Sequence, residues 1–270
     1  FYARKLILEL LPQHDDYIEP FAGGASIFFA KLKCAKNWLN DIDPDLMNCF
    51  TMIRDYPEDL IYKLRNEKAL KERHHYYKNI FKPKSELERA VRWFYINRTS
   101  YSGIMNMQNC FWGYGDKYSM RPEYWPRNIR RTSLKLSGVR LTTLDFCEVI
   151  EEVEDGSFLF IDPPYFNADQ DKFYQHSFKT NDHYRLSEIL KKHKNRIKFM
   201  ITYDNCPEVR ELYSWVNEVH EKEWNYTINR TDDQKNGSKK KGSRSKGREI
   251  FLVNYLPIKQ NRLPRVPLQI

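Results

Sequence analysis

Short apolar runs alternate along the chain with Gly-, Pro- or Asp-bearing turns and with apolar positions at helical spacing. "DYIEPFAGGASIFFAKLKCAK" reads as a short strand, a turn at Gly23 and Gly24, and a helix whose Ile27, Phe28 and Ala30 face a sheet. "NWLNDIDPDLMNCFTMI" repeats this logic. Its strand ends near Asn40, Asp43 caps, Pro44 suits a first helical turn, and Leu46, Met47, Phe50 and Ile53 follow at helical spacing. Two consecutive strand-helix units predict a parallel sheet with right-handed crossovers.

The regularity weakens after Pro57. Helices are predicted over 57–66 and 85–97, the second opened by the capping-box pattern Ser85-Glu-Leu-Glu88. Residues 98–126 are rich in Gly, Asn and aromatics without periodicity, and 56–138 reads as an inserted, mainly helical recognition domain. The sheet resumes with "VRLTTLDF" and "SFLFIDPPY", followed by a capped helix from about Asn181 carrying Leu186, Ile189 and Leu190, and by the strand "IKFMITYD". Residues 232–248 are polar and Gly/Ser-bearing, as in a flexible basic loop, and "EIFLVNYL" reads as a last strand. The expected fold is therefore α/β: a Rossmann-like core sheet from 1–55 and 139–270, split around the insertion.

Composition narrows the class. The 270 residues are 41% hydrophobic and 15% aromatic, enough for a real core, which excludes a disordered chain. The formal charge of +9 favours encounters with polyanions such as nucleic acid. Five cysteines (Cys34, Cys49, Cys110, Cys147, Cys206) are widely spaced, without metal-ligand spacing, and read as reduced cysteines of a cytosolic protein. No apolar run reaches the roughly 18 residues of a membrane span and no signal peptide opens the chain, so no metal and no membrane partner are expected. Phe1 is not a translation start, and the natural chain is expected to carry residues before it.

Three motifs sit at predicted strand ends, where open α/β sheets bind ligands. In "EPFAGG", Gly23 and Gly24 let backbone approach a ligand, or simply turn the chain. One strand later, Asp41 is placed to accept hydrogen bonds from a ribose diol, while Asp43 fits the plainer role of a helix cap. Asp145 in "TLDF" ends a third strand, either as a surface turn or as the acceptor of an adenine amino group with Phe146 on the ring. The third motif is "DPPY". Its prolines restrict the backbone so that the Asp162 carboxylate and the Pro163 carbonyl converge as acceptors, and Tyr165 adds a flat face. Acceptors aimed at an amino group beside a stacking ring suit a flipped-out base.

These motifs together resemble the Dam-like, adenine-specific DNA methyltransferases that use S-adenosylmethionine. "EPFAGG" is similar to the family's cofactor motif, "NDIDPDL" to its acidic second motif, and "DPPY" to the catalytic motif. "RTSYSGIMN" resembles the opening of the recognition hairpin and "DNCPEVRELY" a late core motif. The order of cofactor motif, long insertion and catalytic motif is also the family's. The resemblance implies a site-specific adenine-N6 methyltransferase acting on double-stranded DNA in the cytoplasm of a bacterium or archaeon, or encoded by a phage, with a companion restriction endonuclease as a further partner. It implies catalysis by Asp162, Pro163 and Tyr165, and cofactor binding by Phe21, Gly23, Asp41, Asp145, Phe146 and Asp162. DNA contacts would come from Arg98, Asn106 and Gln108 as base readers and from Lys239, Lys240, Lys241 and Arg244 on phosphates. The aromatics Tyr101, Phe111, Trp112, Tyr114, Tyr118, Tyr124 and Trp125 are expected mostly to form a small core. "YFNADQDKFYQHSF", with Phe173 and Phe178, suits a lid.

Two departures stand out. Ala25 occupies a position where the family usually has Gly. A Lys- and Gly-bearing segment that the family carries just upstream of "FYARKLILELLP" is not among these residues, so a chain extended at the amino end is expected to bind cofactor more tightly. Other readings of the same acceptors are methylation of cytosine N4 or of an RNA base, and a catalytically inert DNA-binding module.

Overall fold

Four consecutive apolar residues set the layering. Phe158, Leu159, Phe160 and Ile161 form β4 (Phe158–Ile161), and all four are buried. Successive side chains of a strand point to opposite faces. Phe158 and Phe160 accordingly join one apolar cluster, and Leu159 and Ile161 another. A strand apolar on both faces belongs inside a sheet covered by helices on both sides. The computed structural model, which describes residues 3–167, 178–225 and 246–257, places β4 in that position.

The sheet has seven strands in the order β3-β2-β1-β4-β5-β7-β6. β1 (Asp16–Glu19), β2 (Lys36–Asn40), β3 (Arg140–Thr142), β4 and β5 (Lys198–Asp204) are parallel, with Ile18 opposite both Trp38 and Leu159 and with Ile161 opposite Ile201. β7 (Lys246–Val253) runs antiparallel between β5 and β6 (Glu218–Asn225). Strand order reverses between β1 and β4, which creates the crevice where doubly wound sheets bind ligands.

Helices α1 (Arg4–Leu10), α2 (Ser26–Ala30) and α3 (Pro44–Asp55) bury residues in the first cluster; α8 (Phe146–Glu152), α9 (Thr180–His193) and α10 (Pro207–Leu212) bury theirs in the second. The α3 start follows the sequence: Asp43 accepts from the Asp45 and Leu46 backbone N–H groups at 2.9 and 3.3 Å, and Pro44 enters the first turn. A cap of this kind stabilises a helix by about 1 kcal/mol.

Segment 56–138 forms α4 (Pro57–Leu64), α5 (Lys71–His75) running into a π turn (Tyr76–Ile80), α6 (Glu86–Thr99) and α7 (Trp125–Leu136). α7 falls in a stretch for which the pattern predicted no element. Trp125, Ile129 and Leu136 share its buried face, but Arg127, Arg130 and Arg131 dilute the apolar signal. Both α6 and α7 pack on α3. Their buried side chains, including Tyr95 and Trp125, belong to the same cluster as Tyr17, Phe28 and Phe158 of the core.

Two expectations are corrected. The aromatics of 101–125 do not form a small core: Tyr101, Phe111, Tyr118 and Tyr124 are exposed, Trp112 and Tyr114 half-buried, and Trp125 alone of the seven is buried. A stretch without periodicity has no common face to bury. The second concerns the basic loop. β7 begins at Lys246, inside the expected loop, because the pairing with β6 continues from Glu218↔Val253 through Glu223↔Arg248 to Asn225↔Lys246, with an Arg248–Glu223 ion pair at 2.8 Å. Lys239, Lys240, Lys241 and Arg244 lie outside the described residues, as does Phe173.

Candidate active site at the switch point

Each parallel strand from β3 to β4 ends in a turn that faces one cavity of about 820 Å³. After β1 come Phe21, Gly23 and Gly24; after β2, Asp41; after β3, Asp145 and Phe146; after β4, Asp162 and Pro164. Gly23 has a left-handed backbone (φ 47°), and so does Ala25 (φ 48°), a conformation that Gly adopts more readily than a residue with a Cβ.

The Asp41 carboxylate bridges two of these turns. Its Oδ2 accepts from Gly23 N–H at 2.8 Å and its Oδ1 from Asp43 N–H at 3.0 Å. Anchored through both oxygens, the carboxylate is fixed in the cavity wall. Asp145 caps α8 through Cys147 N–H at 2.9 Å and pairs with Arg185 at 2.9 Å, whose guanidinium lies 4.9 Å from the Phe146 ring centre. Phe146 stacks on Phe21 at 5.3 Å, and the buried Phe178 meets Phe21 edge-on at 5.5 Å.

Asp162 is held from the neighbouring strand. The register of Ile161 opposite Ile201 sets Thr202 beside it, and Thr202 Oγ1 donates to Asp162 Oδ1 at 2.5 Å. Burial pushes the Asp162 carboxyl up to about 6, partly offset by that hydrogen bond. Beyond it Pro163 is buried and Tyr165 half-buried, with the Tyr165 ring 6.2 Å from Tyr203. Asp204, at the end of β5, then clamps the chain after the motif: its two oxygens accept from Phe166 N–H at 3.0 Å and Asn167 Nδ2 at 2.9 Å. A second buried carboxyl, Glu19, accepts from the Tyr17 hydroxyl at 2.6 Å and Phe28 N–H at 2.9 Å, tying β1 to α2, and burial raises it to about 8.

The cavity thus brings together Phe21, Gly23, Asp41, Asp145, Phe146 and Asp162. Arg98 lines it too, from α6, whereas Asn106 is half-buried and Gln108 exposed in the stretch that follows. Sequence reasoning assigned no role to Thr202 or Arg185, and singled out Asp204 only as the first residue of "DNCPEVRELY". The signal for the contacts of Thr202 and Asp204 lies only in the register between β4 and β5. Among the described residues, no cluster of three or more His, Cys, Asp or Glu is arranged to hold a metal ion, and no helix is long and apolar enough to cross a membrane.

A sheet of this order, with a glycine turn, two acidic strand ends and an Asp-Pro-Pro turn around one cavity, is that of a methyltransferase fold. Residues 3–228 match the family described as D12 class N6 adenine-specific DNA methyltransferase, and the chain belongs to that family. It is 27% identical over 264 residues to the type II methyltransferase M1.LlaDCHI of Lactococcus lactis subsp. cremoris, covering 91% of this chain and 89% of the relative. It is 29% identical over 224 residues to the type II methyltransferase M.CviBI of Paramecium bursaria Chlorella virus NC1A, covering 78% and 82%. With the DNA adenine methylase of Escherichia coli K12 it shares 23% identity over 215 residues, covering 75% and 77%.

Proposed function

We propose that this enzyme transfers a methyl group from S-adenosylmethionine to the exocyclic N6 of an adenine flipped out of double-stranded DNA. The observation that carries the reading is Asp162: an acceptor at the switch point, fixed by Thr202, beside a proline-stiffened turn and inside the cavity that the other strand ends share. Bound S-adenosylmethionine would supply an electrophilic methyl on a sulfonium. The cavity's chemistry fits such a group, with Asp41 for ribose hydroxyls, Phe146 and Phe21 for the adenine face, and Gly23 and Gly24 where no Cβ would obstruct the tail.

In this reading Asp162 and the Pro163 carbonyl each accept one hydrogen of the target amine, which aims its lone pair at the methyl. The proton displaced on methylation leaves along the Asp162 hydrogen bond. Tyr165 stacks on the base once it enters. Catalysis is then chiefly positioning and electrostatics in a site that excludes water. Segment 56–138 serves as the target-recognition domain, with Asn106 and Gln108 near the base edges and Lys239, Lys240, Lys241 and Arg244 on phosphates. The enzyme works where cellular or phage DNA is found, and a companion endonuclease would cut the same site when it is unmethylated.

Incubation of duplex DNA with the protein and methyl-labelled S-adenosylmethionine, followed by digestion to nucleosides, tests the assignment. Label in N6-methyladenine is expected. Label in N4-methylcytosine, label only with RNA, or no transfer would replace it by one of the rival readings.

A further inference from the structure

Three residues of the cavity wall, Asp145, Phe146 and Asp182, are gathered by one side chain that stands behind it. Arg185, on α9, donates through Nη2 to Asp145 Oδ1 at 2.9 Å and through Nη1 to Asp182 Oδ1 at 2.8 Å, and its guanidinium lies 4.9 Å from the Phe146 ring centre. The local sequence makes this fork possible. Asp145 caps α8, and Asp182 accepts from Lys179 N–H at 2.9 Å at the start of α9, so each carboxylate is placed at a helix start where Arg185 reaches both. A planar guanidinium fixes the direction of such hydrogen bonds, which an ammonium does not. The plainer explanation, a tie between two helices, accounts for less. These pairs are partly exposed, and such pairs contribute little to stability. α8 and α9 are also joined at their other ends, where Glu151 meets Lys192 at 2.6 Å and His193 at 3.0 Å.

The hydrogen bonds on Asp145 are unevenly spread. The cap from Cys147 N–H and the donation from Arg185 both fall on Oδ1, and Oδ2 takes neither. We propose that Arg185 is a positioning residue for the cofactor's adenine, fixing Asp145 so that its Oδ2 accepts from the exocyclic amine and the site selects a 6-amino purine. The inference rests on the reading of the cavity as the S-adenosylmethionine site and deepens it. Arg185 touches no ligand in this arrangement and acts through Asp145 and Phe146. Their neighbours suit the role: Phe146 stacks on Phe21, so an acceptor next to Phe146 in the chain meets the edge of a base lying against those rings. The other carboxylates of the wall are committed elsewhere. Asp182 spends one oxygen on Arg185 and the other on Lys179 N–H, Asp41 divides its two between Gly23 and Asp43, Asp43 caps α3, and Asp162 is held by Thr202 on the far side of the switch point. A carboxylate only accepts hydrogen bonds. A purine with an amine at C6 therefore gains a partner from Asp145, whereas a carbonyl in that place sets acceptor against acceptor.

The test uses two ligands that differ only in the purine. Calorimetry of the whole chain would measure S-adenosylhomocysteine and S-inosylhomocysteine, in which a carbonyl replaces the amine at C6. Wild type should bind the adenosyl compound about tenfold or more tightly than the inosyl compound, as a site built to pair with an amine does. Arg185→Met keeps much of the side-chain stem and removes both hydrogen bonds. It should cut the preference to about threefold or less by weakening the adenosyl compound, with the inosyl compound within about twofold of wild type. Arg185→Lys should fall between the two, and it provides the measurement if the Met variant melts prematurely. A structural role alone would weaken both ligands equally, so a preference that survives in Arg185→Met and Arg185→Lys would overturn the proposal. Equal binding of both ligands by wild type would also overturn it, while leaving the cofactor reading in place. If wild type binds neither ligand, the cofactor reading itself fails and the proposal falls with it.

Discussion

The ends of β4 and β5 and the stretch between α6 and α7 solve different problems with different materials. At the strand ends, side chains are fixed by other side chains and by register: Thr202 holds Asp162, and Asp204 holds the backbone and side chain that follow the Asp-Pro-Pro turn. In 100–124 the chain is held mainly by backbone hydrogen bonds, such as Tyr101 N–H to the Phe111 carbonyl at 2.9 Å and Gly113 N–H to the Thr99 carbonyl at 3.0 Å on either side of the antiparallel Ser100–Trp112 bridge, and it leaves Tyr101, Phe111 and Tyr118 exposed. Sites that must place atoms to a fraction of an ångström are best built on rigid elements. Surfaces that meet a deformable polymer can be looser. If chemistry belongs to the first region and DNA contact to the second, as proposed above, mutations should separate them.

The largest separation should come from Asp162→Ala. Loss of the acceptor should lower methyl transfer by about 10²–10³-fold or more, the range seen when one preorganised hydrogen-bonding group is removed, while DNA affinity stays within about threefold because phosphate contacts supply most of it. Single-turnover rates and filter binding on the same preparation decide the point. Asp204→Ala comes next. Misplacing the turn should cost roughly 10–100-fold in kcat with cofactor affinity unchanged, and Asp204→Asn, which retains one acceptor oxygen, should recover part of it; a KM effect without a kcat effect would make Asp204 a substrate contact instead.

On the other side of the comparison, Gly113→Ala places a methyl against the Tyr101 backbone, where no space exists. Relieving that overlap should destabilise the protein by about 1–3 kcal/mol and weaken duplex binding, with S-adenosylhomocysteine affinity within twofold. A parallel fall in both affinities would show that the two regions are not separable. The smallest expected effect is on salt dependence. Replacing Lys239, Lys240 and Lys241 by Ser should flatten the slope of log affinity against log salt by about 0.9 for each phosphate left unneutralised, with sequence preference unchanged.

Much of the first region was legible in the sequence because strand ends, turns and caps are local events. The apolar run of β4, the Asp43 cap and the order of motifs required no knowledge of the fold. Asp204 opened a motif that the sequence did mark, but its contacts, and that of Thr202 with Asp162, were not legible, since they depend on a register with a strand about forty positions earlier in the chain. Arg98 was legible as a basic residue near a recognition segment, but which face of α6 meets the cavity depends on the packing of α6 on α3. The aromatic-rich stretch misled because large apolar side chains were expected inside, and an irregular backbone offers no single interior face.

The pH dependence of methyl transfer tests the central claim most directly, because it asks whether an ionised Asp162 is the working acceptor. Its carboxyl titrates near pH 6 through burial. The acceptor is therefore present above that pH and lost as pH falls through it, and the logarithm of the single-turnover rate should drop with unit slope below about 6. Stability should move the other way: with a folded pKa above the unfolded value, the ionised carboxylate weakens the fold above pH 6, and this weakening disappears below about pH 4. Asp162→Asn should accordingly melt at a higher temperature than wild type at pH 7.5, and its residual activity should lack the acid limb. A wild-type profile flat down to pH 5, or a limb near 6 that persists in Asp162→Asn, would contradict the account.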